Sequence, residues 1–327
     1  MSARVIVTGG ACYIGSHACK RLAAAGYTPV CVDSLENGYR WAVRWGPFEV
    51  LDVRDDAALD QVFAAHRPVA VMHFAGYIQV GESVRQPLKY HRNNLDGLMA
   101  VLAVMGRYEV APIVFSSTAA VYGEPETVPI PEDHPKRPES PYGSSKLACE
   151  RVLADVADTG AIRFTALRYF NAAGADRDGE IGEAHVPETH LVPLAVRALR
   201  DPAFTLQVFG DDFPTRDGTA VRDYIHVEDL AEAHLRALKR LLAGQGSACL
   251  NLGTGQGISV REVLAACERV VGQTPKHAVA GRRAGDVATL VADPAAAQRT
   301  LDWRPRLSDI DTIIETAAAW DTRLHAG

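Results

Sequence analysis

The chain has 327 residues, enough for one large domain or two modest ones. At 47% hydrophobic and 23% charged it has the balance of a globular protein with a sizeable core. The net charge of −6 offers no basic surface for nucleic acid or an anionic membrane, and no apolar run approaches the ~20 residues of a membrane span.

Cys12, Cys19, Cys31, Cys149, Cys249 and Cys267 are scattered, with no C-x-x-C pair. They read as reduced thiols of a cytoplasmic protein, not as a disulfide frame or a metal site. The opening MSARVIVTGG runs straight into a strand, so no signal peptide is expected.

In chain order, Arg4 to Val7 is a buried-strand run, and Tyr13 to Ala25 is helical, closed by Gly26. Thr28 to Val32 is a second strand ending in Asp33. Phe48 to Leu51, Val69 to Phe74, Ile113 to Ser116 and Phe164 to Leu167 are further strands. Helical patterns lie between them at Ala57 to Ala65, Asn93 to Tyr108 and Ser144 to Val156. This alternation predicts an α/β fold, a Rossmann-type doubly wound parallel sheet.

After Gly174 the texture changes. Ala175 to Glu188 reads as loop, and helices are expected at Leu191 to Leu199, Val227 to Leu242 and Val260 to Val271. Residues 1–174 are expected to form a dinucleotide-binding domain and 175–327 a smaller α/β substrate domain. Segments around 220–260, Leu250 to Leu252 among them, are expected to return to the main sheet.

The run V-T-G-G-A-C-Y-I-G joins the first strand to the first helix. Glycine here permits a tight turn and close approach of backbone to a pyrophosphate, which rests at the helix N-terminus. Gly9 and Gly15 fit G-x-x-G-x-x-G, but the middle position is Cys12. Asp33 stands at the spacing of a ribose-binding acid, which favours NAD over NADP. Asp52 reads either as an adenine contact or as an exposed strand-end carboxylate. Cys12, at a helix N-terminus, reads either as a redox-sensitive thiol of depressed pKa or, more plainly, as a tolerated departure from the glycine pattern.

In Y-G-S-S-K, Tyr142 and Lys146 share one helix face if the helix begins by Tyr142. A lysine cation there would stabilise phenolate and lower the tyrosine pKa. The preceding F-S-S-T ends a strand, which brings the Ser116, Ser117 and Thr118 hydroxyls towards the same crevice. Hydroxyl, tyrosine and lysine on such a scaffold make a hydride-transfer site.

The motifs T-G-G-x-x-Y-I-G-S-H, H-F-A-G, S-S-T-A-A-V-Y-G, P-Y-G-S-S-K, L-R-Y-F-N-A-A-G-A, P-E-T-H-L-V-P, R-D-Y-I-H-V-E-D-L and N-L-G-T-G run through nearly the whole chain. In this order they resemble the extended short-chain dehydrogenase/reductases, and within them the UDP-glucose 4-epimerases. Ala119 follows Thr118 where dehydratase relatives carry an acidic residue.

The resemblance implies NAD-dependent inversion at C4 of a UDP-hexose. Tyr142 would be the acid/base, Lys146 its electrostatic partner and nicotinamide-ribose ligand, and Thr118 the hydrogen-bonding partner of the sugar 4-hydroxyl. Tyr13, Ile14, Asp33, Asn37, Asp52, Val53, Phe74, Ala75, Asn93 and Phe170 match positions lining the NAD site. Asn171, His190, Leu191, Gln207, Val208, Phe209, Arg222, Arg283 and Asp286 match positions holding the UDP-sugar. Arg222 and Arg283 offer bidentate donors to a diphosphate, a surface salt bridge being the plainer reading of either. Phe209 reads as a uracil platform or a core phenylalanine, and His226 as structural.

Leu290 stands where residue size gates an N-acetyl group: it is smaller than the tyrosine of strict glucose/galactose enzymes and larger than the residues of permissive ones. Other UDP-sugars (N-acetylglucosamine, xylose/arabinose or glucuronate) and a non-catalytic NAD sensor are the alternative readings. The resemblance also implies a homodimer built on the Asn93 and Ser144 helices, with Cys149 near the interface.

Overall fold

The computed structural model describes residues 2–283 and 286–326. The chain opens with β1 (Arg4–Thr8), α1 (Tyr13–Ala24), β2 (Thr28–Asp33), β3 (Phe48–Val50), α2 (Asp56–His66) and β4 (Ala70–His73). α3 (Val80–Arg85), α4 (Pro87–Arg107), β5 (Pro112–Thr118), α5 (Pro141–Asp158), β6 (Arg163–Tyr169) and β7 (Asn171–Ala173) follow. Then come α6 (Leu191–Arg200), β8 (Leu206–Phe209), β9 (Val221–Arg222), β10 (Tyr224–His226), α7 (Val227–Leu242) and β11 (Ala248–Leu252). β12 (Ile258–Ser259), α8 (Val260–Val271), β13 (His277–Ala280), β14 (Thr289–Leu290), α9 (Ala295–Leu301) and α10 (Ile310–Leu324) complete it.

Seven strands form one parallel sheet in the order β11-β6-β5-β4-β1-β2-β3. Strand order reverses between β1 and β4, where Val7 lies opposite Met72. Side chains alternate across the sheet. Val5 and Val7 join Leu22, Leu235 and Leu238 on one face, while Ile6 joins Leu98, Met105 and Leu153 on the other. Both faces are therefore dry, which is why these strands read as continuous apolar runs. The expected doubly wound sheet is present.

A smaller α/β unit surrounds a second core that includes Val192, Leu206, Val208, Leu264 and Ile313. Its strands are short, in two pairs (β10 with β7, β13 with β8) and a triplet (β12-β9-β14).

Local signals set the helix starts. Pro87 begins α4 ahead of the expected Asn93, because proline at the first turn gives up no hydrogen bond. Ser140 caps α5 by accepting from the Gly143 N–H, so the helix starts at Pro141 and includes Tyr142. α8 carries a full capping box, Ser259 with Glu262. α7 has Glu228 and Asp229 in its first turn and Lys239 and Arg240 in its last, aligned with the helix dipole. The short strands β7 to β10 and β12 to β14, and helices α3, α9 and α10, were not anticipated. The strands, of two to four residues, carry too little periodicity to read, whereas α10, with 15 residues and Ile313, Ile314 and Trp320 on its buried side, carried a readable helical pattern.

Candidate active site

In open parallel sheets the ligand crevice lies beyond the carboxyl ends of the strands, at the reversal of strand order. Here that point is flanked by the turn after β1 and by Phe74 to Gly76 after β4. Gly9 has φ +71, and a Cβ on it would lie 2.7 Å from the Ala75 nitrogen. A Cβ on Gly15 would fall on the Gly9 carbonyl. Both glycines are thus required by the turn itself. Cys12 is the N-cap of α1 with φ −90 and makes no side-chain cap bond, which leaves first-turn N–H groups for an anion.

Asp33, buried at the end of β2, accepts from the Ala11 N–H at 3.0 Å and the Leu35 N–H at 2.9 Å. Its pKa is raised by burial, against those two hydrogen bonds. Each oxygen retains acceptor capacity for a ribose hydroxyl.

The Cys12 thiol lies 3.9 Å from Asp33 Oδ2, and burial together with that carboxylate raises its pKa. The depressed thiol of the redox reading is therefore not present, and the plainer reading stands: desolvation and a neighbouring anion outweigh the helix terminus.

Asn37 and Tyr13 line the same small cleft as Cys12 and His185. The Tyr13 hydroxyl is already engaged, donating to the Gly174 carbonyl at 2.6 Å. Ile14 packs on the core beneath α1, and Val53 is buried in the opposite one. Asp52 is half-exposed and chelated by Arg54, with Nε–Oδ1 at 3.0 Å, which lowers its pKa. Phe74 packs against the His234 ring at 4.7 Å, and Ala75 sits against the α4 side.

Asn93 and its neighbour Asn94 both turn to the Tyr77 N–H, at 3.2 and 2.8 Å. Asn94 is the buried one, and it also donates to Ser145 Oγ at 3.0 Å. A Cβ on Gly76 would lie 2.9 Å from Asn94 Oδ1 and 3.5 Å from Lys146 Nζ. Sequence reasoning missed both Asn94 and Gly76. The glycine of H-F-A-G was the available signal.

The catalytic candidates converge at the end of β5. Thr118 closes that strand and accepts from the Ala120 N–H at 3.1 Å, capping a 3-10 turn at Ala119–Val121. The Tyr142 side chain is buried, and the Thr118 hydroxyl is the neighbouring polar group that acts on it. Lys146, 2% exposed, donates to the Ser116 carbonyl at 2.9 Å and lies 4.9 Å from the Phe115 ring centre.

Burial raises the Tyr142 pKa and the Thr118 hydrogen bond only opposes it. The expected lowering by Lys146 is not present. Burial pushes Lys146 itself down to about 8, with Cys149 and Glu150 pulling the other way.

The three hydroxyls of S-S-T do not act together, because strand side chains alternate. Ser116 Oγ pairs with the Tyr169 hydroxyl. Ser117 points to the other face and donates to Glu150 at 2.5 Å. There Arg168 grips Glu150 through two bonds, Nε–Oε1 at 2.9 Å and Nη2–Oε2 at 2.6 Å. The Tyr122 hydroxyl accepts from Arg168 at 2.8 Å and donates to Asn251 at 2.7 Å.

Arg222 and Leu290 are paired across β9 and β14. Leu290 and Phe170 pack on the cluster of Val121, Tyr122, Ile130 and Leu147, next to the Thr118 turn. Arg222 is half-buried, and burial, with a smaller contribution from Arg283, lowers its pKa. Arg283 stacks 4.6 Å from the Phe209 ring and pairs with Asp286 at 3.0 Å. Phe209 is therefore neither buried core nor bare platform. Gln207 is exposed on β8, whereas the Val208 side chain is in the core.

Asn171 donates its N–H to the Asp223 carbonyl at 3.0 Å. Leu191 begins α6 behind its N-cap, His190. The His190 ring pairs with Glu183 at 2.8 Å and Glu188 at 2.9 Å. His226 is structural: its ring accepts from the Glu228 N–H at 3.1 Å as the cap of α7, and burial lowers its pKa. Cys149 is fully buried between α4 and α5, 3.4 Å from the Asn94 carbonyl, and so presents no surface of its own. Among the described residues no helix is long and apolar enough to cross a membrane.

The profile of the NAD dependent epimerase/dehydratase family matches residues 5–253. UDP-glucose 4-epimerase of Rhizobium leguminosarum bv. trifolii is 49% identical over 98% of this chain and 97% of its own. The crystal structure of UDP-glucose 4-epimerase from Brucella ovis in complex with NAD is 48% identical, with a TM-score of 0.95 over 97% of this chain and 98% of that one. The enzyme from Stenotrophomonas maltophila, with bound NAD and formylated UDP-arabinopyranose, is 39% identical with a TM-score of 0.96, covering 100% and 99% of the two chains. With its strand-order reversal, its glycine turn and its Thr118–Tyr142–Lys146 group, the chain belongs to the NAD dependent epimerase/dehydratase family.

Proposed function

We propose that this enzyme inverts C4 of UDP-glucose and UDP-galactose, with NAD held throughout the turnover. The observation that carries the reading is the convergence of Thr118, Tyr142 and Lys146 at the end of β5, beside the glycine turn. The turn fits a dinucleotide: Gly9 lets it close tightly against Phe74 and Ala75, the α1 N-terminus has uncapped N–H groups, and Asp33 has acceptor capacity for ribose. Bound NAD supplies the acceptor and donor of hydride at the sugar carbon.

As phenolate, which the positive charges of bound NAD and of Lys146 would favour against the burial, Tyr142 would take the 4-hydroxyl proton at its phenolic oxygen and return it on the other face of the sugar. Thr118 holds the same hydroxyl in line. Lys146 supplies positive charge beneath them. Arg222 and Arg283 bind the diphosphate, and Phe209 with Arg283 flanks the base. This concentrates binding on the UDP moiety and leaves the sugar free to turn over between the two half-reactions. The smaller unit, the part of residues 175–327 that does not return to the main sheet, carries most of that anchoring. Two copies pair through the outer faces of α4 and α5, where Leu88 and Met99 are exposed.

The test is incubation with UDP-galactose without added NAD, following UDP-glucose by chromatography. Conversion is expected. Absence of conversion, with UDP-N-acetylgalactosamine and UDP-arabinose also unchanged, overturns the reading.

A further inference from the structure

We propose that Glu183, His185, Glu188 and His190 form a divalent transition-metal site of the Zn2+ class, which clamps the loop between the cofactor turn and α6. Each of the four offers one ligand atom, and these atoms all lie within 4.8 Å of one another. They come from one short segment, E-A-H-V-P-E-T-H.

Two imidazoles and two carboxylates converge on one point, at the separations of charge-assisted hydrogen bonds. Nδ1 of His185 and Nδ1 of His190 both approach the same oxygen of Glu183, at 2.9 and 2.8 Å. Glu188 faces the same two nitrogens, at 3.7 and 2.9 Å. Zinc bonds to nitrogen and oxygen near 2.0–2.2 Å place the ligands of a tetrahedral ion roughly 3.3 Å apart. Three of the four nitrogen–oxygen separations lie below that value and one above it, so an ion at the centre requires side-chain movements of several tenths of an ångström.

The chemistry of the donor set agrees. Two imidazoles and two carboxylates suit Zn2+ and its neighbours, not Mg2+ or Ca2+, which take oxygen ligands. A divalent ion with two neutral imidazoles balances the two carboxylates. Four protein ligands close the shell, which is the form of a structural site, not a hydrolytic one.

The ligands are held from outside. Trp320 of α10 donates its indole N–H to the Glu183 carbonyl at 2.8 Å. Glu188 accepts from the Thr189 and His190 N–H groups at 2.6 and 2.7 Å. Tyr13 stands edge-on to His185, with ring centres 6.2 Å apart. His190 is the most exposed of the four and gives an entry path from solvent. Ligation through Nδ1 leaves Nε2 of His190 for another partner, so the metal site and a diphosphate contact are compatible. The site does not depend on the sugar that the enzyme accepts.

The test uses the full-length protein, stripped with chelator and titrated with Zn2+ and Co2+. About one ion per chain is expected, with the intense visible absorption of four-coordinate Co2+ bound by nitrogen and oxygen. His185→Gln and Glu188→Gln are each expected to weaken uptake at least about tenfold while far-UV circular dichroism is retained. Should either variant fail to fold, the other and the native Co2+ spectrum still decide. No uptake by the native protein, uptake unchanged in a folded variant, or a thiolate-to-cobalt charge-transfer band from the cysteines would overturn the proposal.

Discussion

The ammonium of Lys146 lies 2.9 Å from the carbonyl oxygen of Ser116, so the charge of α5 is pinned to the strand that carries Thr118. Burial lowers the Lys146 pKa to about 8. Its charge is therefore lost as pH rises through about 8, and kcat is expected to fall on an alkaline limb near that value. The sign for stability is opposite. The folded pKa lies below the ordinary 10.5, so the unfolded chain holds more protons between the two values and stability rises with pH across that window. A pH series of kcat and of urea midpoints checks both. A flat rate from pH 7 to 10 contradicts the charge role.

Tyr142→Phe removes the phenolic proton carrier and leaves the ring in place. The expected loss in kcat is about 10²- to 10⁴-fold, with the thermal midpoint little changed. Thr118→Val removes one hydrogen bond to the reacting hydroxyl and is expected to cost about 10- to 100-fold. Steady-state rates with UDP-galactose measure both. Full activity of Tyr142→Phe would remove the mechanism.

Glu150 and Arg168 are almost fully buried, with side-chain exposures of 5% and 2%. Arg168→Leu leaves the Glu150 carboxylate uncompensated and is expected to destabilise by about 3–5 kcal/mol. The pair also anchors Ser117, next to Thr118 in β5. Urea denaturation measures the destabilisation, and a loss below about 1 kcal/mol would contradict the ion pair's importance.

Cys12 has a raised thiol pKa from burial and Asp33. Alkylation at pH 7.5 is expected to be at least about tenfold slower than for free cysteine, since only the thiolate reacts. Mass spectrometry of the Cys12 peptide over time reads this. The side chain also lines the cleft at the helix N-terminus. Cys12→Gly is therefore expected to purify with more NAD, and equal occupancy in the two proteins would contradict that.

Much of the fold was legible because both faces of the sheet are buried. Continuous apolar strands such as Val5 to Val7 and Ile113 to Phe115 stand out against helices with one apolar stripe. The boundaries of α7 and α8 were equally clear, since α7 has dipole-matched ends and α8 has the Ser259 box and Gly272. The smaller unit was legible only in its helices. Its strands are two to four residues long, and their pairing, such as Leu290 against Arg222, is a contact between distant segments.

The sequence by itself determined which chemical groups this protein owns and which lie near one another along the chain. Tyr142 and Lys146, one helical turn apart, and the glycine turn before Tyr13 follow from local spacing, because α-helix and turn geometry are short-range. Only the tertiary structure decided what each group faces. It set Ser117 against Glu150 and not the cleft, Cys12 against an anion, and Glu183 between two histidines. Burial and neighbouring charge, which fix pKa and partner, are sums over side chains from distant parts of the chain. No local pattern encodes them.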